Sequence, residues 1–211
     1  MHRKPHRMTN QDMLKQFYSD AIPYLSGIET HLDIGHGKNL KFILNIADSF
    51  KDSKTRFMYY DNRDFIERLI AKRNKIALPN NVELTSSPKG PIDSASYFFT
   101  IHDFLGTSQS PQESFKEVCG LTSPGGLVLV IDYDLFHVRT KPNSQHAFSE
   151  VFNNGNEKKC LLTEPDCYEK HTSYSRAMCV RDLEASGFAL VKAYSLPEED
   201  PKLFLALARR W

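Results

Sequence analysis

Two hydrophobic rhythms alternate along the chain. Met13, Phe17 and Ile22 fall near one side of a helical projection of residues 11–25, predicting an amphipathic helix that ends about Pro23. His31 to Ile34 is a short apolar strand. After a glycine turn, Leu40, Phe42, Ile43, Ile46, Ala47 and Phe50 recur at spacings of three and four, a helical face. Arg56 to Tyr60 predicts a second strand, ending at Asp61. Phe65, Ile66, Leu69 and Ile70 predict a helix that stops before Pro79. Val82 to Thr85 is a short strand followed by the breaker "SSPKGP". Ala95 to Ile101 has the length and apolar character of a buried strand. A helix over 110–119, a "TSPGG" turn and the strand "LVLVID", Leu127 to Asp132, come next. Strands and helices alternating in this way predict a parallel sheet covered on both faces.

The ending breaks the alternation. "RDLEASGF" predicts a helix closed by Gly187, and "FALVKAYSL" and "KLFLALARR" are strand-like runs separated by "PEEDP". A parallel return needs about a dozen residues or more. This link has five. The last two strands are therefore expected to be antiparallel, so a mostly parallel sheet finishes with a reversed strand.

At 211 residues the chain is expected to form a single domain, 1–211, with 1–10 (containing "MHRKPHR") as a flexible basic terminus. Lys and Arg total 27 against 26 acids, so net charge points to neither a nucleic-acid nor an acidic partner. No apolar run approaches the roughly 18 residues of a membrane span. The absence of a signal-peptide-like apolar stretch implies the cytoplasm. Cys119, Cys160, Cys167 and Cys179 contain no paired CxxC and are expected to be reduced. Cys160, Cys167, His171 and Cys179 match no common closed zinc site, and no metal is expected. Residues 133–172 are irregular and polar. They suit a substrate-facing insertion and, equally, a solvated crossover with a short helix over 147–152.

Candidate chemistry concentrates in "THLDIGHGKNL". Gly35 and Gly37 let a ligand approach the backbone without a Cβ in the way, and the following helix offers free N–H groups. A dinucleotide-binding loop would place its third glycine at position 40, which is Leu40, and the phosphate-loop pattern is missing around Lys38.

From about residue 11 onward the sequence resembles the class I, Rossmann-like, S-adenosylmethionine-dependent methyltransferases. The resemblance rests on Asp33, Gly35, Gly37 and Asn39 after the first strand, Asp61 ending the second, "ASYFFTIHDF", "LTSPGGLVLVID" and the closing hairpin. It implies a three-layer α/β sandwich whose mostly parallel seven-stranded sheet has an antiparallel last strand. It also implies S-adenosyl-L-methionine as cofactor. On that resemblance Asp33 lies near the methionine portion, and Gly35, His36 and Gly37 border the cofactor. Asp61 accepts from the ribose hydroxyls, and a carboxylate can accept from both. Asn62 lies beside the adenine, with Ser86 or Ser87 towards its amine, and Thr100 and Ile101 run beneath the cofactor.

Methyl transfer is a direct displacement, so in-line positioning supplies much of the catalysis, and a base serves only an acceptor that must lose a proton. His102 is the best-placed candidate base, with Asp103 to orient it or bind substrate. His137, His171 and Tyr133 are further candidates from the loops. The Asp/Asn/Ser-Pro-Pro-Tyr pattern of amino-methylating nucleic-acid enzymes is missing, and no basic patch interleaves with aromatics. A small organic acceptor is expected first and a protein acceptor second. The alternative is a methyltransferase-like noncatalytic binding or scaffold protein.

Overall fold

The computed structural model describes residues 10–35, 40–51, 54–61, 66–67, 78–104, 109–134, 174–196 and 203–211. In chain order the elements are α1 (Asn10–Leu25), β1 (Thr30–Ile34), α2 (Lys41–Ser49), β2 (Arg56–Tyr60), β3 (Val82–Thr85), β4 (Ile92–Phe98), α3 (Ile101–Phe104), α4 (Pro111–Leu121), β5 (Thr122–Tyr133), α5 (Arg176–Glu184), β6 (Phe188–Leu196) and β7 (Leu203–Arg210). Seven strands form one sheet in the order β3-β2-β1-β4-β5-β7-β6. The pairs from β3 through β5 are parallel, while β7 runs antiparallel to both β5 and β6. The reversed strand expected from the five-residue link is β7, lodged between its neighbours.

Period-two alternation divides the sheet between two cores. On one face Leu32, Ile34, Ala95, Tyr97, Val128 and Val130 pack with Phe115 and Val118 of α4 and Cys179 and Leu183 of α5. On the other, Phe57, Tyr59, Leu129, Ile131, Leu205 and Leu207 pack with Met13, Phe17, Ala21 and Leu25 of α1 and Ile43, Ile46 and Ala47 of α2. The spacing of four along α1 keeps its apolar residues on one side, and the helix passes Pro23 to end at Leu25. The result is three layers, α/β/α.

β4 and β5 differ most from the sequence expectation, and α5 starts at Arg176, ahead of "RDLEASGF". β4 is displaced towards the N-terminus, 92–98 in place of 95–101. Phe99 adopts a φ of 51°, which takes the chain out of the extended conformation. The Thr100 hydroxyl then donates to the carbonyls of Ile34 and Phe98, tying the ends of β1 and β4 together before α3 starts. The "TSPGG" residues lie inside β5. Ile92 pairs with Thr122 and Ser94 with Leu127, so the intervening residues bulge from the ladder, with Gly125 at a φ of 79°. Of the helix expected at 65–70, residues 66–67 are described and are helical; 1–9 and 135–173 lie outside the described residues.

Candidate functional site

β1 and β4 are adjacent in the sheet, but β2 and β3 extend one way from β1 and β5 the other. A ligand crevice in an open parallel sheet forms at such a reversal, beyond the carboxyl ends of the strands. The acids and the glycine singled out in the sequence meet there.

Asp33 is the penultimate residue of β1 and is buried, at 2% exposure. Its Oδ1 accepts from the Ser96 hydroxyl of β4 at 2.5 Å. Burial pushes its carboxyl up to about 7, opposed by the Ser96 hydrogen bond. Gly35 follows the strand, and its N–H donates to the Tyr60 carbonyl at 2.9 Å, which sets it beside Asp61. The Tyr59 ring covers Gly35 so closely that an added Cβ would lie 1.9 Å from Oη and 2.2 Å from Cζ. Any larger residue here would have to displace the Tyr59 ring. The Tyr59 hydroxyl donates to Asp61 Oδ2 at 3.1 Å, and Asp61 is buried at the end of β2.

The remaining predicted positions are distributed unevenly. Thr100 is buried with its hydroxyl engaged by the two strand-end carbonyls. The Ile101 side chain is fully buried in the core, so at the start of α3 only its backbone is left to border a ligand. His102 and Asp103 stand on α3 immediately after it. Ser86 and Ser87 are exposed in the turn after β3, where the Ser87 N–H donates to Thr85 Oγ1. His36, Gly37, Asn39, Asn62, His137 and His171 lie outside the described residues. So do Cys160 and Cys167, whereas Cys119 and Cys179 are free thiols. Among the described residues no cluster of His, Cys, Asp and Glu is arranged to hold a metal, and no described helix is long and apolar enough to cross a membrane.

Tyr133, a candidate from the sequence, has neighbours here that the sequence analysis did not single out for the site. Phe98, Phe99 and Tyr133 form an aromatic rim where β4 and β5 end, with centroids 4.5 Å and 4.7 Å apart, and Tyr18 of α1 stacks on Phe98 at 6.1 Å. Behind Asp33, His31 Nε2 lies 2.9 Å from Ser96 Oγ and Nδ1 lies 2.7 Å from Ser94 Oγ. Burial holds the His31 imidazole down to about 3, so it is neutral. A readable signal existed: polar residues at positions 31 and 33 of one strand and 94 and 96 of its neighbour interrupt runs that are otherwise apolar.

The same arrangement of strands recurs in solved methyltransferases. The S-adenosylmethionine-dependent methyltransferase SibL, in its apo form, superposes with a TM-score of 0.61 at 19% identity, over 95% of this chain and 57% of that one. A SAM-dependent methyltransferase from Aquifex aeolicus gives 0.59 at 19% identity, over 99% of this chain and 94% of that one. This is the class I methyltransferase fold. The fold is not confined to proteins named as methyltransferases. The [4+2]-cyclase SpnF matches with a TM-score of 0.61 at 12% identity, over 99% of this chain and 84% of that one. The chain spans little more than half the length of the SibL chain. No protein-family model and no curated protein matches it.

The donor set fits S-adenosylmethionine. A vicinal diol calls for a carboxylate such as Asp61, and the ammonium of an amino-acid tail calls for one such as Asp33. Gly35 follows the strand that carries Asp33 and donates to the carbonyl of Tyr60, next to Asp61 in the chain.

Proposed function

We propose that the protein transfers a methyl group from S-adenosyl-L-methionine to a small organic acceptor. The observation that carries this is the pair of buried acids, Asp33 and Asp61, at the ends of adjacent parallel strands beside Gly35. Asp61 holds the ribose, sharing one carboxylate oxygen with Tyr59; Asp33 and the loop with Gly35, His36 and Gly37 hold the methionine end. Asn62, with Ser86 or Ser87, borders the adenine, and Thr100 and Ile101 form the floor. When bound, the sulfonium supplies an electrophilic methyl group. The protein's own part is to fix that methyl in line with an acceptor and to exclude water. The aromatic rim of Phe98, Phe99 and Tyr133 suits an acceptor with an apolar or planar body. His102, assisted by Asp103, or His137, removes a proton from an acceptor that must lose one.

Calorimetry with S-adenosylmethionine and S-adenosylhomocysteine tests the cofactor assignment. Micromolar binding is expected. Asp61→Ala should weaken it about 10- to 100-fold, as for loss of one or two hydrogen bonds to a charged group. Unchanged binding in the variant would remove Asp61 from the site. The cyclase on the same fold makes transfer a separate question, answered by methyl incorporation from labelled cofactor into a panel of small acceptors and proteins. Tight binding with no incorporation across that panel would favour a noncatalytic protein.

A further inference from the structure

Three polar side chains continue from Asp33 into the interior between β1 and β4, where apolar residues would pack at less cost. His31, Ser94 and Ser96 are all fully buried. His31 pairs with Ser94 in the ladder and Asp33 with Ser96, so all four share one face. With Asp33 ionised, their protons have one consistent arrangement. Because the Ser96 hydroxyl donates to Asp33, its oxygen accepts from His31 Nε2–H; Nδ1 is then bare and accepts from the Ser94 hydroxyl. If Asp33 takes up a proton and donates to Ser96, every bond in the chain reverses and His31 switches to the Nδ1–H tautomer. In that arrangement the ionisation of Asp33 and the tautomer of His31 change together.

Among the described residues Ser96 is the one hydrogen-bond partner of Asp33. We propose that His31 and Ser96 are positioning residues that hold the Asp33 carboxylate for the ammonium of the bound cofactor, so that cofactor affinity follows the protonation of Asp33. This rests on the methyltransferase reading of the site, with Asp33 at the methionine end.

Among the described residues, few groups compete for that control. From α1, Tyr18 faces Asp33, and its phenol is pushed up to about 12, chiefly by burial, so it stays neutral. From α2, Asn45 is neutral and bonds to Tyr18. From β2, Tyr59 adjoins Asp33 in the ladder and donates to Asp61, the nearest acid on that strand. From β4 come Ser94 and Ser96. Asp33 itself is pushed up to about 7, so its two states exchange close to neutrality.

The test measures S-adenosylhomocysteine binding by calorimetry from pH 5.5 to 8.5 on the full chain, Ser96→Ala and Ser96→Thr. In parallel, the ¹⁵N shifts of the His31 ring, assigned with His31→Gln, report its tautomer. Wild-type affinity should fall about tenfold per pH unit below neutrality. His31 should pass from Nε2–H to Nδ1–H over the same range, and bound ligand should hold it in the Nε2–H form to lower pH. Ser96→Ala removes a hydrogen bond to the charged carboxylate and should move the affinity midpoint upwards; Ser96→Thr should restore it. Binding that is flat with pH, or a profile identical in wild type and Ser96→Ala, overturns the proposal while the methyltransferase reading stands. No binding at any pH by a cooperatively melting protein overturns both. If Ser96→Ala fails to fold, the wild-type tautomer decides: a switch that does not track affinity overturns the proposal.

Discussion

Burial moves Asp33 and His31, two residues apart on one strand face, in opposite directions. The folded protein holds a proton on Asp33 up to about pH 7, whereas the unfolded chain releases it near pH 3.9. The stability this contributes is fully present below about pH 3.9 and is lost as pH rises towards 7. His31 is held down to about 3 against roughly 6.5 when unfolded. Its contribution is present above about pH 6.5 and is lost as pH falls. Between about pH 4 and 6.5 the two slopes cancel. His31→Gln removes one of them, so its stability relative to wild type should fall by about 1.4 kcal/mol per unit rise in pH across that window. Urea unfolding at several pH values checks this, and parallel profiles for the two proteins would contradict a neutral buried imidazole. Gly35→Ala drives a methyl group into the Tyr59 ring. Overpacking of this kind costs about 1–3 kcal/mol, readable in the urea midpoint, and should also weaken cofactor binding because the ring lies against Asp61. At this scale the sequence displayed Asp33, Gly35 and Asp61 by their positions at strand ends. It did not display the Tyr59 contact, which depends on the fold bringing β2 against the end of β1.

Elements were legible where periodicity was long and obscured where a side chain or a special backbone angle ended them. α4 begins at Pro111, close to the start of the helix expected over 110–119. Ser110 accepts from the Glu113 N–H, Glu113 accepts from the Ser110 N–H, and Pro111 occupies the first turn. Ser110→Ala should cost about 1 kcal/mol. A shift of the urea midpoint with unchanged slope checks this, and no shift would mean that α4 is held by packing alone. The end of β4 was misplaced because Phe99, an apolar residue in an apolar run, carries a positive φ. Composition gives no warning of that turn. The aromatic rim at Phe98, Phe99 and Tyr133 depends on it.

For the whole molecule, β7 decides the integrity of the fold. Lodged between β5 and β6, it supplies Phe204, Ala206 and Ala208 to one core and Leu205 and Leu207 to the other. A chain ending at residue 202 should lose cooperative thermal unfolding and amide shift dispersion. A dispersed spectrum from that chain would show that β1 to β5 suffice. The sequence by itself determined the alternating elements, the parallel character of the sheet and the reversal at the end, because periodicity and link length are local properties. The order of the last two strands was not read from it, although β7 is buried along most of its length and becomes interior, while β6 leaves Leu190 and Val191 exposed at the edge. Only the tertiary structure placed His31 and Asp33 against Ser94 and Ser96, more than 60 residues away in the chain. Pairing between β1 and β4 is a long-range choice made by burial of both sheet faces, and the buried chain of hydrogen bonds exists only once that choice is made.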